Sequence, residues 1–108
     1  MNDELAVVQA AKEVYGAVNS MVSRYRSQRM VTWQQKILLD EKIRAFRAIA
    51  HTRASGEVFN STINELAKAQ RLIDSMDLHG LGYEMAMEQY RVLGEQLRRN
   101  LEEFTNGI

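Results

Sequence analysis

The 108-residue chain contains no cysteine, no proline and only two histidines. Without thiols there can be no disulfide framework, no thiolate zinc site and no sulfur nucleophile, a composition that suits a reducing compartment. Without proline, nothing locks a turn or breaks a helix from within, so long helices with short connections are expected. No apolar run approaches the ~20 residues needed to cross a bilayer. The first residues are acidic, unlike the basic start of a secretory signal. A soluble, cytoplasmic protein with no membrane association is the expectation.

Catalytic signatures are also missing. The chain has no GxxxxGK[ST], GxGxxG or GxSxG segment, which disfavours the usual nucleotide and acyl-transfer sites. Carboxylate di-metal sites in helical bundles use a glutamate three residues before a histidine. Here Ala48 precedes His51 and Met76 precedes His79. Asp77 with His79 gives two ligands, too few for a metal cage. Glu84 and Glu88 share a helical face, and burial would be needed to drive their pKa values apart for acid–base work. Their polar neighbours Gln89 and Arg91 indicate an exposed face. No catalytic residue, cofactor or metal is therefore expected, and the chain is read as not an enzyme.

What is present is helical periodicity. Val8, Ala11, Tyr15, Val18, Val22 and Tyr25 recur in steps of three and four, widened by Val7, Val14 and Met21, which is the broad apolar face of a core helix. Asn2, Asp3 and Glu4 supply a cap and negative charge at its start. Thr32-Trp33-Gln34-Gln35 has the form of a capping box and opens a second helix, whose seam runs Leu39, Ile43, Phe46, Ala50, Ala54. In "TRASGE", Ser55 and Gly56 serve as stop or as the next cap. Phe59, Thr62, Ile63, Leu66, Ala69, Leu72, Ile73 and Met76 form a third seam, with Thr62 and Glu65 as a later capping box. The glycines of "DLHGLG" permit a reversal, after which Tyr83, Met87, Tyr90, Gly94, Leu97, Leu101 and Phe104 form a fourth. The spacing predicts an all-α, antiparallel up-down bundle of four helices at about 2–29, 33–54, 57–78 and 83–105, in a single domain over 1–108. Two long hairpins that complete their core by dimerising are the alternative. Gly94, and Gly16 beside Tyr15, are expected to mark close helix approach. Met76, Met85 and Met87 are expected as core filler, or else as an adaptable docking surface near Leu78 and Leu81.

Zero net charge hides an uneven distribution. Residues 24–53 carry eight Lys and Arg against two acids, whereas residues 54–108 carry five against nine. On the second helix, Lys36, Asp40, Arg44, Arg47 and His51 fall within roughly an 80° sector at 100° per residue. Asp40 and Arg44 are spaced as an i,i+4 ion pair, whereas Arg24, Arg26 and Arg29 have no acid nearby in sequence. Ten arginines against four lysines favour planar, bidentate contacts over loosely hydrated charge. Trp33, directly after the cap, is expected to fold over the bundle end; the alternative is an exposed aromatic anchor beside arginines. Arg24, Arg26, Arg29, Trp33, Lys36, Arg44 and Arg47 are thus the candidate partner-binding residues. They point to a small non-enzymatic binding protein, a regulator, inhibitor or adaptor that contacts a protein partner. Nucleic acid on the same basic surface is the alternative, and the projecting end of the first helix offers a homodimer contact.

Overall fold

Strong helix formers with apolar seams every three or four positions give four α-helices among the residues described by the computed structural model, 2–51, 54–75 and 81–106. They are α1 (Asn2–Gln28), α2 (Trp33–His51), α3 (Asn60–Ser75) and α4 (Leu81–Asn106), with a 3₁₀ helix at Ala54–Phe59. No strand occurs among these residues. Each α-helix packs on its two neighbours around a ring, α1 on α2 and α4, α3 on α2 and α4. The result is the up-down bundle expected from the spacing, 44 Å along its long axis, close to the ~1.5 Å rise per residue of its longest helices. One apolar cluster fills the interior, with contributions from all four α-helices. The core closes within a single chain, so the paired-hairpin alternative is not the arrangement found.

Packing against two neighbours decides which part of α1 is buried. Val7, Val14, Val18 and Met21 are almost fully shielded, while Val8 and Tyr15 sit at the edge of the cluster. Ala11, Val18, Val22 and Tyr25 of the expected seam are buried, and the buried face extends over the flank residues Val7, Val14 and Met21 rather than over Val8 and Tyr15. The α2 seam of Leu39, Ile43, Phe46 and Ala50 is buried as expected. Phe59 stacks edge-on against Phe46, with centroids 5.2 Å apart, and touches Phe104 at 5.4 Å. Two polar links cross this interior. The Thr62 hydroxyl donates to Asn100 Oδ1 at 2.6 Å. The Tyr90 hydroxyl donates to Gln70 Oε1 at 2.6 Å, and Gln70 Nε2 donates to the Lys36 carbonyl at 3.2 Å. Buried amides of this kind cost stability unless paired, and here they tie α3 to α4 and α2.

Three boundaries differ from the periodicity. α2 stops at His51 rather than 54, and α3 begins at Asn60 rather than 57. The reason lies at Gly56, where an added Cβ would meet the Ala50 carbonyl oxygen at 2.4 Å. Only a glycine lets the chain turn back so tightly on the last turn of α2, and a 3₁₀ helix, a tighter and shorter winding, fills the space before α3. α4 starts at Leu81, so Gly82 lies inside its first turn. Met76, Leu78 and His79 lie outside the described residues, as do the side chains of Ala54, Leu72, Ile73 and Leu81.

The corner between α1 and α2 is built as the sequence suggests. The Thr32 amide donates to Gln35 Oε1 at 3.0 Å, and the Gln35 amide to the Thr32 hydroxyl at 3.1 Å, the reciprocal capping box. Before it, Arg29 takes the left-handed conformation, φ 54°, and its amide donates to the Tyr25 carbonyl at 2.7 Å. That closes α1 in the way glycine usually does. A non-glycine residue there costs about 1–2 kcal/mol. The Arg29 guanidinium lies 5.7 Å from the Tyr25 ring centroid and pairs with Glu84 of α4. Exposed contacts of these types contribute about 0.2–1 kcal/mol each, so side chain and backbone nearly balance.

Candidate functional site

The seven candidate residues separate into two groups. Arg24, Arg26 and Arg29 end α1, and all three are exposed. Arg29 is not free of acids, because α4 brings Glu84 to it across 55 residues of sequence. Arg26 turns toward the same side. Glu88 of α4 is held below the usual carboxylate range first by its hydrogen bond from Arg91; desolvation, the next largest effect, opposes the shift, and the charges of Arg91 and Arg26 add to it. Arg91 is correspondingly pushed up by that bond and charge. Glu88 thus moves in the direction opposite to that of a general acid. Arg24 forms no ion pair with a described acid.

The second group lies on α2. At 100° per residue, Trp33, Lys36, Ile37, Asp40, Arg44, Arg47 and His51 occupy about a 100° arc beside the buried seam. Lys42, on the other flank, reaches Glu13 of α1 at 3.2 Å, so the arc faces α3. Trp33 is 74% exposed and does not seal the bundle. That place is taken by Tyr83 of α4, which stacks on Tyr25 at 6.1 Å and accepts a hydrogen bond from Lys36 Nζ at 3.1 Å. The ammonium sits at the hydroxyl end of the ring, and Lys36 is half-buried. Lys36 is therefore committed to this closure, while Trp33 stands outside it. Met30, Ile37 and Leu38 are also partly or largely exposed around this corner.

Farther along the same flank, Arg44 and Arg47 meet Arg71 of α3. With Asp40, Ile43, Ala67 and Gln70 they line a groove of about 280 Å³ between the two helices. Arg44 Nε pairs with Asp40 at 3.0 Å, as its spacing predicts. Arg47 Nε lies 3.5 Å from His51 Nε2, a weak contact at the long end of hydrogen-bonding distance. Arg71 was not among the residues singled out by charge distribution, since it lies in the acidic half of the chain. Its only sequence signal is its position one turn after Ala67, off the buried seam of α3.

Among the described residues no group of three or more His, Asp or Glu could hold a metal ion, and no helix is long and apolar enough to cross a membrane. Asp77 and His79 lie outside those residues. Met87 is core, as expected of filler, whereas Met85 is 66% exposed on α4. No family model matches this chain, nor does any curated protein or solved structure.

Proposed function

We propose that this chain is a small non-enzymatic helical binding protein, a cytoplasmic regulator, inhibitor or adaptor that docks a protein partner on the α3-facing flank of α2. The observation that carries this reading is the chain's one tryptophan standing largely exposed at the start of that flank. Ile37 lies one turn on, the groove begins at Asp40 about 10 Å away at 1.5 Å per residue, and Arg44 follows at about 16 Å. An aromatic anchor beside arginines is the composition of interface hot spots, and folding alone gives Trp33 no burial to justify it. A partner segment presenting an apolar side chain to Trp33 and Ile37 and acidic groups toward the groove would match both parts.

The test is affinity capture from lysate of the source cells, with nuclease and without. The wild type is compared with Trp33→Ala, Arg47→Glu and Lys12→Glu on the exposed outer face of α1. The expected result is one protein captured by the wild type and by Lys12→Glu, and lost with either α2 variant. Capture unchanged by both α2 variants, in proteins that keep their helical circular dichroism, would remove this surface from consideration. Capture abolished by nuclease would transfer the surface to nucleic acid. A homodimer through the same corner is the competing occupant, and light scattering of the wild type against Trp33→Ala distinguishes it.

A further inference from the structure

The groove between α2 and α3 has a chemistry of its own. Arg44 and Arg47 project from one wall and Arg71 from the other, with Asp40 as the one acid among the described residues of the lining. Among the described lining residues, three guanidinium groups against one carboxylate leave two positive charges uncompensated. A space of this volume is about 8 Å across, comparable to the ~8 Å Debye length at physiological salt, so the charges on opposite walls are only partly screened from one another. The rest of the described lining is Ile43, buried in the core, the half-buried Ala67, and Gln70, whose amide is engaged by Tyr90 and the Lys36 carbonyl.

The donor inventory narrows the ligand. Arg44 uses its Nε on Asp40, and Arg47 uses its Nε on His51, which leaves the terminal N–H groups of both without a described acid. Arg71 makes no ion pair among the described residues. Several planar forks converging from two helices suit a tetrahedral oxyanion with three acceptor oxygens better than a single carboxylate. The charge agrees as well, because a phosphomonoester carries about −1.5 to −2 at neutral pH, close to the two uncompensated charges of the lining. At about 280 Å³ the groove falls just below the ~300–1,000 Å³ of pockets that enclose whole drug-sized ligands. No aromatic side chain is among its described lining residues, so none of these would stack on a nucleobase.

We infer that the α2–α3 groove is a receptor site for a phosphomonoester dianion, held by Arg47 and Arg71 with Arg44 oriented by Asp40. The group could be borne by a phosphorylated side chain of a protein or by a small phosphorylated metabolite, and the chemistry is the same in both. The site shares its groove with the docking surface proposed above, but its test uses no partner protein, so the two readings can fail separately.

The experiment is titration of the full chain at low salt and pH 7.5 with O-phosphoserine, with a phosphoserine peptide and with glutamate, followed by NMR of the arginine Nε–Hε groups. Phosphoserine is expected to shift Arg47 and Arg71 saturably with one-to-one stoichiometry, and Arg24 far less. Arg71→Gln, a surface change, should weaken binding about tenfold or more, the loss associated with one charge-assisted contact. Affinity should also fall below about pH 6, where the phosphomonoester loses its second charge. A peptide that binds much more tightly than the amino acid identifies a phosphorylated protein as the source; equal affinity identifies a small metabolite. Glutamate binding as well as phosphoserine, equal shifts at Arg24, or undiminished binding by Arg71→Gln would each overturn the assignment.

Discussion

Gly16 and Gly94 sit in the interior of long helices, and the same substitution at each should have different effects. Gly16 lies in the middle of α1, is exposed, and an added Cβ there meets nothing within 4 Å. The close helix approach expected at this position is therefore absent. Replacing it by alanine recovers about 0.8–1 kcal/mol of helix propensity with no steric cost. For a chain of this length, with an unfolding entropy of about 2.1 cal/mol/K per residue, 1 kcal/mol corresponds to a rise in Tm of about 4 °C. Gly94 is the contrasting case, because its Cβ would stand 3.3 Å from Val18 Cγ1. Val18 is fully buried and, being β-branched in a helix, is held to essentially one rotamer, so it cannot swing aside. Overpacking of that kind costs about 1–3 kcal/mol, which cancels or outweighs the same propensity gain. Gly16→Ala should raise Tm, Gly94→Ala should leave it unchanged or lower it, and the two should differ by at least about 1 kcal/mol in urea unfolding. If Gly16→Ala were destabilising, or if both glycines responded with the same sign and size, the account of how α1 and α4 approach would be wrong. Repeating the Gly16→Ala melt at two protein concentrations checks that the exposed face of α1 is not covered by a second copy.

Two further outcomes test the corner and the α4 face. Trp33→Ala should change stability by no more than about 0.5 kcal/mol, as for an ordinary surface site, and native tryptophan emission should lie close to that of the urea-unfolded chain; a strongly blue-shifted native spectrum would show that Trp33 is buried after all. Glu88 has its carboxyl held down by Arg91, so its NMR titration midpoint should fall below that of glutamate in an unfolded peptide and rise again in Arg91→Ala. Because the folded-state pKa is the lower one, any stability it contributes is present above the unfolded pKa and is lost as pH falls through the folded value. A Glu88 midpoint unchanged by Arg91→Ala would refute the assigned cause.

Much of the bundle was legible in advance because its signals are local. A period of three and four positions places Leu39, Ile43, Phe46 and Ala50 on one line whatever surrounds them, and a capping box is closed by residues three apart. Gln70 and Asn100 escaped this reading, since an amide on a seam resembles a surface residue until its partners, Tyr90 and Thr62, arrive from other helices. The third helix was placed too early for a similar reason. Periodicity counts Phe59 as helical, but contact of Gly56 with the end of α2 forces a 3₁₀ turn first.

By itself the sequence determined the four α-helices, the Thr32–Gln35 cap, the Asp40–Arg44 pair and the concentration of positive charge between residues 24 and 53. Tertiary structure alone decided what that charge meets. Arg29 is engaged because α4 delivers Glu84, and Trp33 is left outside because Tyr83, from the same helix, already covers Tyr25. Arg71 joins Arg44 and Arg47 only because α3 lies against the flank of α2 that carries them. Periodicity fixes which side of a helix is apolar, but it says nothing about which neighbour lies on either flank, and the character of this surface depends on that neighbour.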